Sequence, residues 1–274
     1  MGYYDWKKEI AAMVENRFSK KVCVVTGGAG EIGVATALRL ASEGSDIALI
    51  DLKDMKDAIQ RITMIGVRCI GYNCNVADYG EVEETVKAIQ KDFTTIDMLF
   101  NNAGIQGAFS QIHTYPVKDF HQVISINLIG AFHVLRAVSA VMVGQKSGVI
   151  VNTASMAGVG GPVNMAAYGA SRFALVGLTQ TAAKDLAPYN IRVNAISPGY
   201  MGPGFMWDRQ VDLQAAANSQ YYDKDRSVVA KQMVGEIPMR RYGSIDEIPG
   251  TVAYLMSEDS SFTTGENIKI SGGI

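Results

Sequence analysis

The chain has 274 residues, 48% of them apolar and 19% charged, with a net charge of −2. That length and apolar share suit one large α/β domain with a substantial core. The balance excludes a disordered chain, and it offers neither the basic footprint of a nucleic-acid binder nor a polybasic membrane patch.

Residues 1–20 mix acids and bases and lack an apolar segment, which predicts an amphipathic N-terminal helical extension rather than a secretory signal. From residue 21 onwards, apolar β-rich runs alternate with helical patterns. KVCVVT (21–26) predicts a first strand, with a helix over 32–42. DIALID (46–51) predicts a second strand, with a helix over 53–65. VRCIGYN (67–73) is a third, followed by a helix over 79–93. MLFNNAG (98–104) is a fourth, followed by a long helix over 117–143. GVIVNTA (148–154) is a fifth, followed by a helix over 166–187. IRVNAIS (191–197) is a sixth. An irregular segment rich in Met, Gly and aromatic residues fills 199–235. A short helix over 245–256 precedes a last strand, NIKISGG (267–273).

This alternation predicts a single domain over 21–274: a Rossmann-type, doubly wound parallel sheet of about seven strands with helices on both faces. The strand runs are almost wholly apolar, as expected when both faces of the sheet are covered. The most apolar long stretch, 129–144, carries His133 and Arg136 and falls short of the roughly 20 residues of a membrane-spanning helix. Cys23, Cys69 and Cys74 are odd in number, form no Cys-x-x-Cys pair and lie in or beside apolar runs. Buried free thiols and a cytoplasmic, reducing location are expected. His113, His121 and His133 lack metal-ligand spacing, so no metal site is expected.

In such sheets ligands sit beyond the carboxyl ends of the strands. After the first strand comes TGGAGEIG (26–33), a glycine-rich turn leading into a helix. Such a turn lets backbone N–H groups approach a pyrophosphate at a helix N-terminus. Asp51 ends the second strand, 18 residues after Gly33. A carboxylate there accepts hydrogen bonds from ribose hydroxyls and repels a 2′-phosphate. Position 30 is Gly and position 52 is Leu, neither of them basic. NAD is therefore expected rather than NADP.

These residues together resemble the single-domain short-chain dehydrogenase/reductases over about 20–273. The family's Thr-Gly-x-x-x-Gly-x-Gly turn is met at Thr26, Gly27 and Gly33, with Glu31 where the middle glycine belongs. Its Asn-Asn-Ala-Gly appears as Asn101 to Gly104, and its Pro-Gly as Pro198-Gly199. Within the family the runs NTASMAG, NMAAYG and LAPYNIRVNAISPGYMGPGFMW are most similar to bacterial NAD-dependent xylitol dehydrogenases. The resemblance implies a cofactor lying along several strand ends. They are Thr26, Gly27, Gly30, Ile32 and Gly33 in the turn; Asp51 and Leu52; Asn75 and Val76; Asn102, Ala103 and Gly104; and Pro198 and Gly199. Tyr168 and Arg172 complete that set.

The same resemblance implies a catalytic group of Asn127, Ser155 and Tyr168, with position 172 holding arginine where the family has lysine. The chemistry fits these residue types. Oxidising a secondary alcohol requires a base, and a free tyrosine, with a pKa of about 10, is a poor one. A nearby cation favours the phenolate. Tyr168 and Arg172 are i and i+4 on a predicted helix and share a face. Arginine retains the charge and the donors but is effectively never deprotonated. Two readings follow: a working NAD-dependent oxidoreductase acting on a polyol such as xylitol, and an impaired NAD-binding homologue.

Glu31 admits two placements, beside the pyrophosphate or turned to solvent from the first helical turn. The segment 199–235 is expected to be a substrate lid, with Met201, Phe205, Met206 and Trp207 as an apolar wall. Gln106, Asn164 and Met165 lie beside the catalytic motifs and are expected to touch a small alcohol or ketone together with Ser155 and Tyr168. The resemblance also implies a homotetramer pairing its long helices and last strands.

Overall fold

The structure, a computed structural model, describes residues 16–274. Most of the expected N-terminal extension lies outside the described residues. Positions 16–20 form a turn, not a helix. Phe18 is buried there, its N–H donates to the Glu43 carbonyl, and Arg17 meets the Glu43 carboxylate at 2.6 Å.

Seven strands form one sheet: β1 (Val22–Thr26), β2 (Asp46–Asp51), β3 (Cys69–Asn73), β4 (Met98–Asn101), β5 (Gly148–Thr153), β6 (Ile191–Pro198) and β7 (Asn267–Ile270). They pair in the order β3-β2-β1-β4-β5-β6-β7, each neighbour parallel. The winding reverses between β1 and β4, which opens a crevice at their carboxyl ends. Every residue of β1 and β4 is buried, which accounts for their uninterrupted apolar runs.

The helices are α1 (Glu31–Ser42), α2 (Lys56–Thr63), α3 (Tyr79–Phe93), α4 (Val117–Ile124), α5 (Ala131–Gln145), α6 (Ala166–Leu186), α7 (Phe205–Ala216), α8 (Arg226–Glu236) and α9 (Pro249–Met256). One core layer packs Val86, Ile89, Val138, Met142 and Ala183 of α3, α5 and α6 on the sheet. The opposite layer packs Leu40, Ile62 and Leu255 of α1, α2 and α9.

Several boundaries differ from expectation for local reasons. Helix α2 starts at Lys56 rather than 53. The Asp51 carboxylate accepts the Lys53 N–H at 2.9 Å and Asp54 accepts the Lys56 N–H at 3.0 Å, and such side-chain bonds compete with helix formation. The last strand stops at Ile270, before Gly272 and Gly273 at φ +64° and +101°. Helices α4 and α5 are joined by a π-helical turn, Ser125–Gly130, into one 29-residue helix. By length and composition it could cross a membrane, so the shortness argued for 129–144 does not hold. Its apolar content instead serves the core, where Val123, Val134, Val138 and Met142 are fully buried.

The largest departure is 199–235, which is mostly helical. Helices α7 and α8 enclose a small core of Trp207, Val211, Val229 and Met233. The apolar residues of α7 divide between that core and the cavity beneath, so this helix shows no single apolar stripe. Cys23 and Cys74 are buried, whereas Cys69 is only half-buried.

Candidate active site

A cavity of about 1200 Å³ opens at the carboxyl ends of the strands, running from the turn after β1 to the lid helix α7. Gly27, Gly30 and Ile32 line its first end. No side chain caps α1, whose preceding residue is Gly30, so its first backbone N–H groups are available to an anion. Thr26 and Gly33 do not line the cavity. Thr26 is fully buried, and its Oγ1 accepts N–H groups from Asn102 at 2.8 Å and Ala103 at 3.0 Å. A Cβ on Gly33 would collide with the Gly27 carbonyl, so that glycine serves close packing of α1 on the turn. Thr26 thereby holds two strand-end loops together.

Asp51 lines the cavity with one carboxylate oxygen 3.0 Å from the Ala29 N–H. Leu52 and Lys53 form the lip beside it, and Asn75 and Val76 lie across from it. Asn102, Ala103, Gly104, Pro198 and Gly199 continue the wall inwards.

Deeper in stand Ser155, Tyr168 and Arg172. Ser155 follows β5, and its Oγ accepts the Ala157 N–H at 3.1 Å. That bond uses a lone pair and leaves the hydroxyl hydrogen free to donate into the cavity. Tyr168 and Arg172 are one turn apart on α6, with the guanidinium carbon 4.9 Å from the Tyr168 ring centroid. Arg172 is 4% exposed. Its Nη1 donates to the Thr153 carbonyl at 2.8 Å, and its Nε is buried without a hydrogen-bond partner among the described residues. A Cβ on Gly104 would overlap Nη2, so the planar group fits because residue 104 has no side chain.

Asn127 does not reach the cavity surface. It lies fully buried in the π-helical turn. Its amide accepts the Ile105 N–H at 2.8 Å and donates to the Ile105 carbonyl at 2.8 Å and to Ser171 Oγ at 3.2 Å. It clamps the loop that carries Gly104. A π turn here matches the frequent use of such bulges at functional sites.

At the substrate end, Gln106, Met165 and Met201 line the cavity. Asn164 and Trp207 do not. Asn164 is buried and donates to Gln214 at 2.8 Å and Ser219 at 2.9 Å, which ties the loop to the lid. Trp207 packs against Tyr200 and Tyr242 in the lid's own core. Sequence reasoning missed Arg209 and Gln210, which line the cavity one turn after Phe205 and Met206. Helical spacing from those two residues was the available signal. Gln106 donates to Gln210 at 3.2 Å.

Tyr200 also faces the cavity, with its hydroxyl engaged by an acid. Its hydroxyl donates to Glu236 at 3.0 Å, and Glu236 also accepts from Tyr222. Burial above all, with Tyr222 and Glu236 adding to it, pushes the Tyr200 phenol well above its ordinary range.

Known proteins carry the same frame. A family model described as enoyl-(acyl carrier protein) reductase matches residues 27–274. The levodione reductase of Leifsonia aquatica is 36% identical over 262 residues, covering 94% of this chain and 95% of its own. The chain belongs to the short-chain dehydrogenase/reductase family. Another member, the 3-oxoacyl-(acyl-carrier-protein) reductase of Thermotoga maritima, is 32% identical over 260 residues, 94% of this chain and 99% of its own. A crystal structure of an NAD+-bound xylitol dehydrogenase superposes with a TM-score of 0.93 at 59% identity, covering 94% of this chain and all of that one. As a short-chain dehydrogenase/reductase the chain is an oxidoreductase.

Proposed function

We propose that this enzyme is an NAD-dependent polyol dehydrogenase whose reacting centre is Ser155, Tyr168 and Arg172. The observation that carries the reading is one continuous cavity with Asp51 at one end and the Tyr168–Arg172 stack beside Ser155 at the other. Similarity to the NAD+-bound xylitol dehydrogenase supports the same substrate class.

The residues present fit a dinucleotide. Uncapped N–H groups open α1, and Asp51 offers a carboxylate to ribose hydroxyls while opposing a 2′-phosphate. When bound, NAD supplies the hydride acceptor. Within the protein, Tyr168 as its phenolate takes the hydroxyl proton and becomes the neutral phenol, while Ser155 donates to the reacting oxygen. Arg172 holds a positive charge beside that phenolate, which favours the deprotonated form able to accept the proton. Asn127 is a positioning residue, because it fixes the loop on which the guanidinium rests. Gln106 and Gln210 offer amides to substrate hydroxyls, and Met165, Met201 and Met206 exclude water. Half-exposed Ile129 and Phe132 on the π turn and α5, with Phe173 on α6, support a homotetramer paired through the long helices.

The test is an NADH-fluorescence titration beside a turnover panel of polyols and ketones, for the parent and Asp51→Asn. The parent is expected to bind NADH at least tenfold more tightly than NADPH and to oxidise a polyol. Asp51→Asn should lose about tenfold in NADH affinity, the order of one hydrogen bond to a charged group, and gain in NADPH affinity. Tight NADH binding without turnover of any alcohol or ketone sinks the dehydrogenase reading. Preference for NADPH in the parent sinks the role of Asp51.

A further inference from the structure

The geometry points to Glu31 as a positioning residue that clasps the substrate lid to the cofactor turn. Glu31 is the first residue of α1, and its carboxylate reaches away from that helix to accept the Phe205 N–H at 3.3 Å. Phe205 is the first residue of α7. The residue before α7 is Gly204, which has no side chain to cap the helix. A carboxylate at a helix N-terminus accepts an otherwise orphaned N–H and favours the helix dipole. Glu31 therefore supplies from another element the cap that α7 lacks.

Two features of Gly204 show that the approach is built in. Its φ is +147°, a conformation that side-chain-bearing residues rarely adopt. A Cβ there would also lie 2.6 Å from one Glu31 carboxylate oxygen and 2.9 Å from the other. Residue 204 is glycine at a φ that side chains rarely adopt, and the Glu31 carboxylate occupies the space that a side chain would take.

The clasp joins the two ends of the cavity. Glu31, Gly30 and Ile32 line the end that fits a pyrophosphate, while Phe205, Met206 and Arg209 of the clasped helix line the substrate end. A pyrophosphate beside α1 repels a carboxylate turned towards it and leaves one bonded to α7 undisturbed. Binding of the dinucleotide thus favours the clasped arrangement, and the clasp holds α7 over the substrate. The inference rests on the NAD-dependent reading for its kinetic consequences but not for its structural ones.

The experiment is hydrogen–deuterium exchange of the amides at 205–207, with and without NADH, together with steady-state kinetics and NADH affinity. It uses the full chain as parent, Glu31→Gln and Glu31→Ala. In the parent, NADH should slow exchange at these amides. Glu31→Ala should lose about fivefold protection without NADH, the usual effect of removing a cap, and show a smaller NADH response. Its KM for the polyol should rise about fivefold with kcat nearly unchanged, while NADH binds as tightly or more tightly. Glu31→Gln keeps an acceptor without the charge. It should retain part of the protection and lose the NADH-dependent increment. Parent-like exchange at 205–207 in Glu31→Ala overturns the clasp, and so does unchanged KM alongside tighter NADH binding. If no alcohol is turned over, the exchange arm still decides the clasp, and the failure belongs to the dehydrogenase reading.

Discussion

Replacing Arg172 by methionine tests what the cation contributes to Tyr168. Methionine is unbranched and suits the buried channel between Gly104 and Thr153, so the change removes charge with little change of shape. The guanidinium carbon lies 4.9 Å from the Tyr168 ring centroid. Taking that separation and an effective dielectric of about 20, a unit negative charge on the Tyr168 phenolate is stabilised by about 3 kcal/mol, which sets how much of the base is available. Losing it should slow the chemical step by roughly two orders of magnitude. The effect on folding should be small, because two contributions oppose each other. The variant loses the 2.8 Å bond from Nη1 to Thr153, worth about 1.5–3 kcal/mol for a charged donor. It also removes a buried Nε that has no hydrogen-bond partner among the described residues, which costs the parent about 1–3 kcal/mol. Tm should therefore move by no more than about 4 °C. The assay is single-turnover formation of NADH at saturating NAD and polyol, with NADH affinity and Tm measured on the same samples. Arg172→Lys keeps the charge in a group able to release a proton, and its rate should equal or exceed the parent's. A methionine variant that binds NADH and turns over at the parent's rate would refute the reasoning, since the field of Arg172 would then be idle.

Gly104→Ala should cut turnover by about tenfold or more, because the new methyl overlaps the Arg172 Nη2. Added to Arg172→Lys the same substitution should cost much less, and a double-mutant cycle on turnover measures that coupling. Equal losses in both backgrounds would mean that the contact is unimportant. Burial raises the Cys69 thiol from its ordinary 9.0 to about 12 and also raises Cys23 and Cys74. The folded protein therefore holds protons that the unfolded chain releases above about pH 9, so this stability is present below pH 9 and lost as pH rises towards 12. Urea midpoints should fall across that window, and iodoacetamide at about pH 8 should label the thiols only after unfolding.

The sheet was legible because burial on both faces leaves a run of apolar residues in each strand. DIALID became β2 without a shift at either end. Helix ends were less legible where carboxylates bind nearby N–H groups, as at Asp51 and Asp54. The candidate site was legible wherever a motif sits at a strand end, and Asp51, Gly104, Ser155 and Pro198 all line the cavity. Motif position did not distinguish residues that face a ligand from residues that hold the wall. Thr26, Gly33, Asn127 and Asn164 are all turned inwards to backbone or side-chain partners. The lid was least legible. Its apolar residues serve two surfaces at once, and Trp207, which reads as a substrate wall, is consumed by the lid's own core.

Arg172 and Glu31 depart from the family pattern, and each is matched by a glycine on a neighbouring segment. Gly104 has no side chain where the guanidinium spreads, and Gly204 has none where the carboxylate arrives. A lysine at 172 would leave Gly104 without that packing role, and a glycine at 31 would leave α7 uncapped. Arg172 changes the cation at the centre and Glu31 changes how loops meet at the rim, while Ser155 and Tyr168 stand where the motif spacing places them. The chemistry of the site thus depends on contacts between residues far apart in sequence. For that reason the paired tests, residue 172 with 104 and residue 31 with the 205–207 amides, discriminate better than any single substitution at Tyr168. Loss of activity in Tyr168→Phe is expected whichever cation lies beneath the ring, and whether or not the lid is clasped.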